Sequence, residues 1–181
     1  VSMTNLVSYS GVVASDVTGV GSTRYGTAAA RYGGDKALFG YGSPYPSYSS
    51  HTNLVSNVGV VSADVTGVGT ARQRLAAAAY GGDKALFGYG ESDGGGTLNT
   101  QTNLVSNTGV VATDTAGVGT GRLSLAAADY GGDKAIFGYG DTGSKVSLTN
   151  LVSNSGVVAA DVTGVGTARS ALTAAGYSTS A

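Results

Sequence analysis

The stretch YGGDKALFGYG stands at 32–42 and again, unchanged, at 80–90, and it returns at 130–140 with one Leu-to-Ile change. A chain that repeats itself this closely buries equivalent faces in equivalent ways, so its fold is decided unit by unit. TNLVS marks the same period at 4–8, 52–56, 102–106 and 149–153, at spacings of 48, 50 and 47 residues. The chain therefore reads as a single domain, 1–181, built of units 4–51, 52–101, 102–148 and 149–181. Each unit carries GVV, an Asp (16, 64, 114, 161), GVG, an Arg (24, 72, 122, 169) and an Ala-rich run.

Within a unit the apolar runs are short and bounded by Gly, Asn or Asp, the pattern of strands rather than helices. Four are expected: A, such as Leu75–Tyr80; B, Lys84–Tyr89; C, Asn53–Ser56; and D, Gly59–Ser62. Alanine favours helices, but six residues between turn signals are too few for one. Gly-Gly-Asp joins A to B, and turns such as Asn107-Thr108-Gly109 join C to D, where Gly and Asn tolerate the positive φ of tight hairpins. A four-stranded antiparallel meander repeated every 40–50 residues is the period of a β-propeller blade. The fold expected is thus all-β, a β-propeller of four-stranded blades whose fourth unit is incomplete. A β-solenoid of the same units, or a ring completed by oligomerisation, is the alternative. Phe39, Phe87 and Phe137, the only phenylalanines, are expected to pack between neighbouring blades.

An Arg, a small-residue strand, a Gly-Gly turn, an aromatic-containing strand ending in Gly, a variable loop and an Asn-led strand, as in GTARQRLAAAAYGGDKALFGYG…TNLVS, resemble the kelch motif. They are closer still to the kelch-like repeats of tail-fibre and related proteins of environmental bacteriophages. The last strand lacks the Trp of typical kelch repeats, and Gly-Tyr-Gly stands where a plain Gly-Gly is common. The resemblance spans nearly the whole chain and implies a propeller in a virion or extracellular setting.

The fourth unit stops after its A segment, expected at Leu172–Tyr177, while the chain opens on a C–D pair, Asn5–Ala14. The final STSA followed by VSMTNLVS resembles DTGSKVSLTNLVS at 141–153, as though a B strand had been removed. Either the chain, which begins at Val1, is a piece or a processed form of something longer, or an incomplete ring is completed by another copy.

A net charge of −1 with no Lys/Arg cluster removes the footprint of nucleic-acid binding. The absence of Cys removes disulfides, thiolate chemistry and Cys-based zinc sites, and no apolar run reaches the roughly 18–20 residues that span a bilayer. The repeated Asp and Arg residues, with Asp-Lys in each A–B turn, hold 14 of the 21 charges. Equivalent groups repeated from unit to unit suit turn caps and inter-blade ion pairs better than one asymmetric catalytic pocket, and a calcium-binding carboxylate ring has no spacing to recommend it. No catalytic, metal or cofactor site is predicted, and the chain reads as non-enzymatic.

The informative positions are those where the units disagree. The B–C loop varies as SPYPSYSSH (43–51), ESDGGGTLNTQ (91–101) and DTGSKVSL (141–148), and the pair after the Arg varies as Tyr25-Gly26, Gln73-Arg74, Leu123-Ser124 and Ser170-Ala171. In an antiparallel meander the B–C loop and the D–A connection share one end of the sheet, opposite YGGDK. Tyr25, Tyr45, Tyr48, His51, Gln73 and Arg74 are the expected contact residues, with Pro44 and Pro46 stiffening an aromatic surface of the kind that binds sugars or proteins. The expected partner is a cell-surface glycan or protein. The rival function is a structural fibre, decoration or filament subunit that mates with copies of itself or with virion proteins.

Overall fold

The computed structural model describes residues 2–93 and 96–176. They form an all-β protein of eleven strands with no helix among them: β1 (Ala28–Tyr32), β2 (Lys36–Gly40), β3 (Thr52–Val55), β4 (Ala76–Tyr80), β5 (Lys84–Gly88), β6 (Glu91–Ser92), β7 (Thr97–Leu98), β8 (Thr102–Val105), β9 (Ala126–Tyr130), β10 (Lys134–Gly138) and β11 (Thr149–Val152). Three antiparallel three-stranded sheets result, β1-β2-β3, β4-β5-β8 and β9-β10-β11, with a small β6–β7 hairpin in the second B–C loop. The register repeats: Phe39 opposes Ala29 and Asn53, Phe87 opposes Ala77 and Asn103, and Phe137 opposes Ala127 and Asn150. The Ala-rich runs are strands as expected, because cross-strand pairing and burial override alanine's helix propensity.

The fourth strand of each unit is not regular. Val55 bridges Val61 while Thr52 bridges Val65, so two residues on β3 face three on the outer segment. The same offset separates Val105–Val111 from Thr102–Thr115, Val152–Val158 from Thr149–Val162, and Val7–Val13 from Thr4–Val17. This is a β-bulge written four times. Its cause is the Asn of TNLVS, whose side-chain amide donates to the outer segment's carbonyl at Ala14, Ser62, Ala112 or Ala159 in place of a ladder bond. Residues 172–176 form no strand, though Gly176 lies beside Asp129 of β9; Tyr177 lies outside the described residues.

The core runs between sheets. Phe87 and Phe137 are completely buried; each presses its ring on a glycine of the preceding sheet, Gly40 or Gly88, where a Cβ would come within 2.5 or 2.7 Å. Each also meets the next tyrosine edge-on, Tyr41 at 5.0 Å and Tyr89 at 5.1 Å between centroids. The repeated Gly-Tyr-Gly is therefore a socket: the first Gly leaves room for the ring, and Tyr41, at a φ of 61°, turns its own ring onto it. Phe39 departs from expectation. It is 36% exposed because no preceding B strand offers it a socket among the described residues. It lines instead a cleft of about 150 Å³ with Met3, Thr4, Arg24 and Asn53.

Neighbouring sheets are also stitched by backbone. Gly33 donates to Asp83 O and Gly81 to Asp133 O, both 2.7 Å, at the A–B turns. At the other end Arg74 donates to Gly26 O, Ser124 to Arg74 O and Ala171 to Ser124 O, at 2.8–2.9 Å, linking equivalent residues of four successive units. Arg31 of β1 reaches Asp129 of β9, 2.7 Å between Nη2 and Oδ2, past the middle sheet.

Candidate functional site

The repeated charges build scaffold, and the details differ from simple ion pairs. Arg72 Nη2 donates to Asn103 Oδ1 at 2.5 Å and Arg122 Nη2 to Asn150 Oδ1 at 2.6 Å; Arg24 and Asn53 pair the same way. The Asn then donates to the Asp, Asn53 to Asp64, Asn103 to Asp114 and Asn150 to Asp161, at 2.8–2.9 Å. That Asp also accepts from the amide and hydroxyl of Ser22, Thr70 or Thr120 in the connector. Direct Arg–Asp separations are longer, 3.6–4.0 Å. The Arg, Asn and Asp of each network flank one and the same sheet, so the expected inter-blade ion pair is replaced by an Asn bridge that the sequence displayed in every TNLVS.

Arg72 and Arg122 are fully buried, and each stacks its guanidinium on the tyrosine of the preceding unit, Tyr41 at 4.5 Å and Tyr89 at 4.4 Å. Those tyrosines donate to Val68 O and Val118 O in the connectors. Arg is suited to this place because a planar cation can stack on one unit while its fork of donors bonds the next. Burial pushes the Arg72 pKa down and the Tyr41 hydroxyl up to about 12. Burial raises the Asp64 pKa, but hydrogen bonds from Ser22 and Asn53 outweigh it, with the charge of Arg24 adding to them, and hold the carboxyl at about 2. Asp114 and Asp161 are lowered by the same opposition of effects.

The two ends of the sheets are chemically distinct. At one end an Asn of the C–D turn donates to the Asp of the constant A–B turn in each of three sheets: Asn57 to Asp35, Asn107 to Asp83, Asn154 to Asp133. At the opposite end the variable positions pair across the hairpin, Tyr25 with Ser43, Gln73 with Glu91 and Leu123 with Asp141. The variable D–A and B–C segments therefore do converge.

The individual expectations fare differently. Tyr45 is 79% exposed, in a loop that Ser43 Oγ holds by donating to Ser47 O at 2.7 Å, and Tyr25, 50% exposed, bridges to Ser43 from the D–A segment. Tyr48 is half-buried. His51 is half-exposed, its Nδ1 3.9 Å from Asp64, and its carbonyl accepts from Arg24 and from the Tyr41 amide. Gln73 corrects the expectation of a contact residue: it is buried, donating to Glu91 at 2.7 Å, with its Oε1 unpaired among the described residues. Glu91, absent from the expected set, is buried too, and Arg74 Nη1 approaches it at 3.4 Å from a half-exposed side chain. Gln73 and Glu91 thus form a bracket that fixes Arg74. Only the Gln–Glu coincidence at two variable positions of one unit could have flagged it.

Among the described residues no cluster of three His, Asp or Glu side chains could hold a metal ion. Among the described residues no helix is long and apolar enough to cross a membrane. No family model matches the chain, and no curated protein matches it.

Proposed function

We propose that the three sheets are blades of a β-propeller, and that the chain is a non-enzymatic binding module of a virion or extracellular fibre that offers its variable end to a cell-surface glycan or protein. Support for the radial arrangement comes from Arg31 and Asp129. Packed sheets are spaced about 10 Å apart, so a straight stack would hold the first and third about 20 Å apart, too far for these side chains to meet. Sheets converging on their alanine strands bring β1 and β9 together, and alanine is what such crowding admits.

The observation that carries the binding reading is the pairing of variable residues at one end, Tyr25–Ser43, Gln73–Glu91 and Leu123–Asp141, over a scaffold that hardly changes. Exposed Tyr25 and Tyr45 with the bracketed Arg74 supply aromatic surface and a fixed cation, groups that recur in recognition hot spots. Tyr25→Ala with Tyr45→Ala should weaken binding to a glycan array or to whole bacterial cells by about 30-fold or more, with the far-UV circular dichroism unchanged. Undiminished binding by this variant would remove the face from consideration.

A further inference from the structure

We propose that a second copy of this repeat array docks head to tail on the first, its Asn5–Asp16 pair receiving Thr167 and Arg169. Three times within the chain a connector Ser/Thr and Arg close on the Asn and Asp of the unit they adjoin. At the start of the chain Asn5 donates to Asp16 at 2.8 Å, the same half of the network, yet both residues are exposed. Asn103 and Asn150, in the completed networks, are completely buried.

The other half stands at the far end. Arg169 already stacks on Tyr139 at 4.0 Å, as Arg72 and Arg122 stack on theirs, and Tyr139 donates to Val165 O. Yet Arg169 and Thr167 are exposed. A Cβ on Gly21, Gly69 or Gly119 would fall 2.3 Å from the Asp of its network, whereas one on the equivalent Gly166 would meet nothing closer than Tyr139 Oη at 4.0 Å.

A second seam runs beside the first. The C–D turn glycines press on residues nearer the start of the chain: Gly59 on Leu6, Gly109 on Leu54 with Tyr32 of the preceding sheet, and Gly156 on Leu104 with Tyr80 of the preceding sheet. The equivalent Gly11 has no atom within 4 Å of its Cβ position, and Leu151, its counterpart surface, is 42% exposed. Both seams belong to one junction and can close together, with Asp16 and Arg169 opposite in charge. The occupant is a second copy because its front carries the same Asn, Asp and turn glycine that this back surface already meets inside the chain. Such a head-to-tail contact is heterologous, so it ends in a closed ring or continues as a filament.

Light scattering over a concentration series tests this. The wild-type chain should exceed its 17.7 kDa as concentration rises. Asp16→Lys and Arg169→Glu should each weaken self-association by about 30-fold or more. An equimolar mixture of the two variants should associate again, because the exchanged charges then face each other in alternation. A wild-type chain that stays at 17.7 kDa throughout would overturn the proposal in favour of a self-contained array. Association that neither variant weakens, or that mixing does not restore, would overturn it by locating the contact elsewhere. Glycan binding does not enter this readout, so the proposal stands or falls apart from the binding-module reading.

Discussion

Arg122 shows why the repeated residues tolerate so little change: one side chain stacks on Tyr89 beside the preceding sheet, donates to Asn150 of the sheet it leads into and reaches Tyr139 O through Nε at 2.7 Å. The acidic members of these networks give the fold an acid limit. A carboxyl held below its ordinary value of about 3.9 stabilises the folded state above that value, and the contribution is lost as the pH falls through the folded pKa. With Asp64 at about 2 and Asp114 and Asp161 also lowered, the melting temperature should hold down to about pH 4.5 and fall between about 4 and 2. Circular dichroism melts across that range would show it, and a flat profile would mean the networks add nothing to stability. The charge periodicity in the sequence identified these residues as scaffold. Their Asn bridge was less legible, since a lone Asn at the head of a strand reads equally well as a turn residue.

At the scale of the element, the A–B hairpins follow from short apolar runs joined by Gly-Gly turns, while the outer segment needed more than periodicity. GVVSADV reads as a strand, but the Asn side chain competes for its carbonyl and produces the bulge. This leaves Val60, Val110 and Val157 exposed, at 64–66%, on an interrupted edge that resists pairing with other chains. The phenylalanines separate sequence from structure most clearly, because identical KALFG strands place Phe87 in a socket and leave Phe39 outside one. Phe137→Ala should cost about 3–5 kcal/mol, and Phe39→Ala well under ~2 kcal/mol since much of its surface stays wet. Equal losses in urea titration would deny the socket. Gly88→Ala tests it from the other side: a Cβ 2.7 Å from Phe137 Cζ should cost about 1–3 kcal/mol.

For the whole molecule, the repeat period announced an all-β array of small sheets, and the unequal loops announced which end varies. The repeat led to the expectation of blades, but the Arg31–Asp129 contact that supports this proposed arrangement was not legible, because the two residues occupy an equivalent position where the units disagree and where Ala79 and Gly176 complete the set. Variation there reads as noise until two members are found in contact. The central claim, sheets fanned about their alanine strands, is tested most directly by zero-length carbodiimide cross-linking of an Arg31→Lys variant. A cross-link between positions 31 and 129, intramolecular and independent of concentration in peptide mass spectrometry, is the predicted result. Its absence, with the variant folded and position 31 reactive toward other amine reagents, would mean that the first and third sheets stand apart as in a straight stack, and would contradict the account.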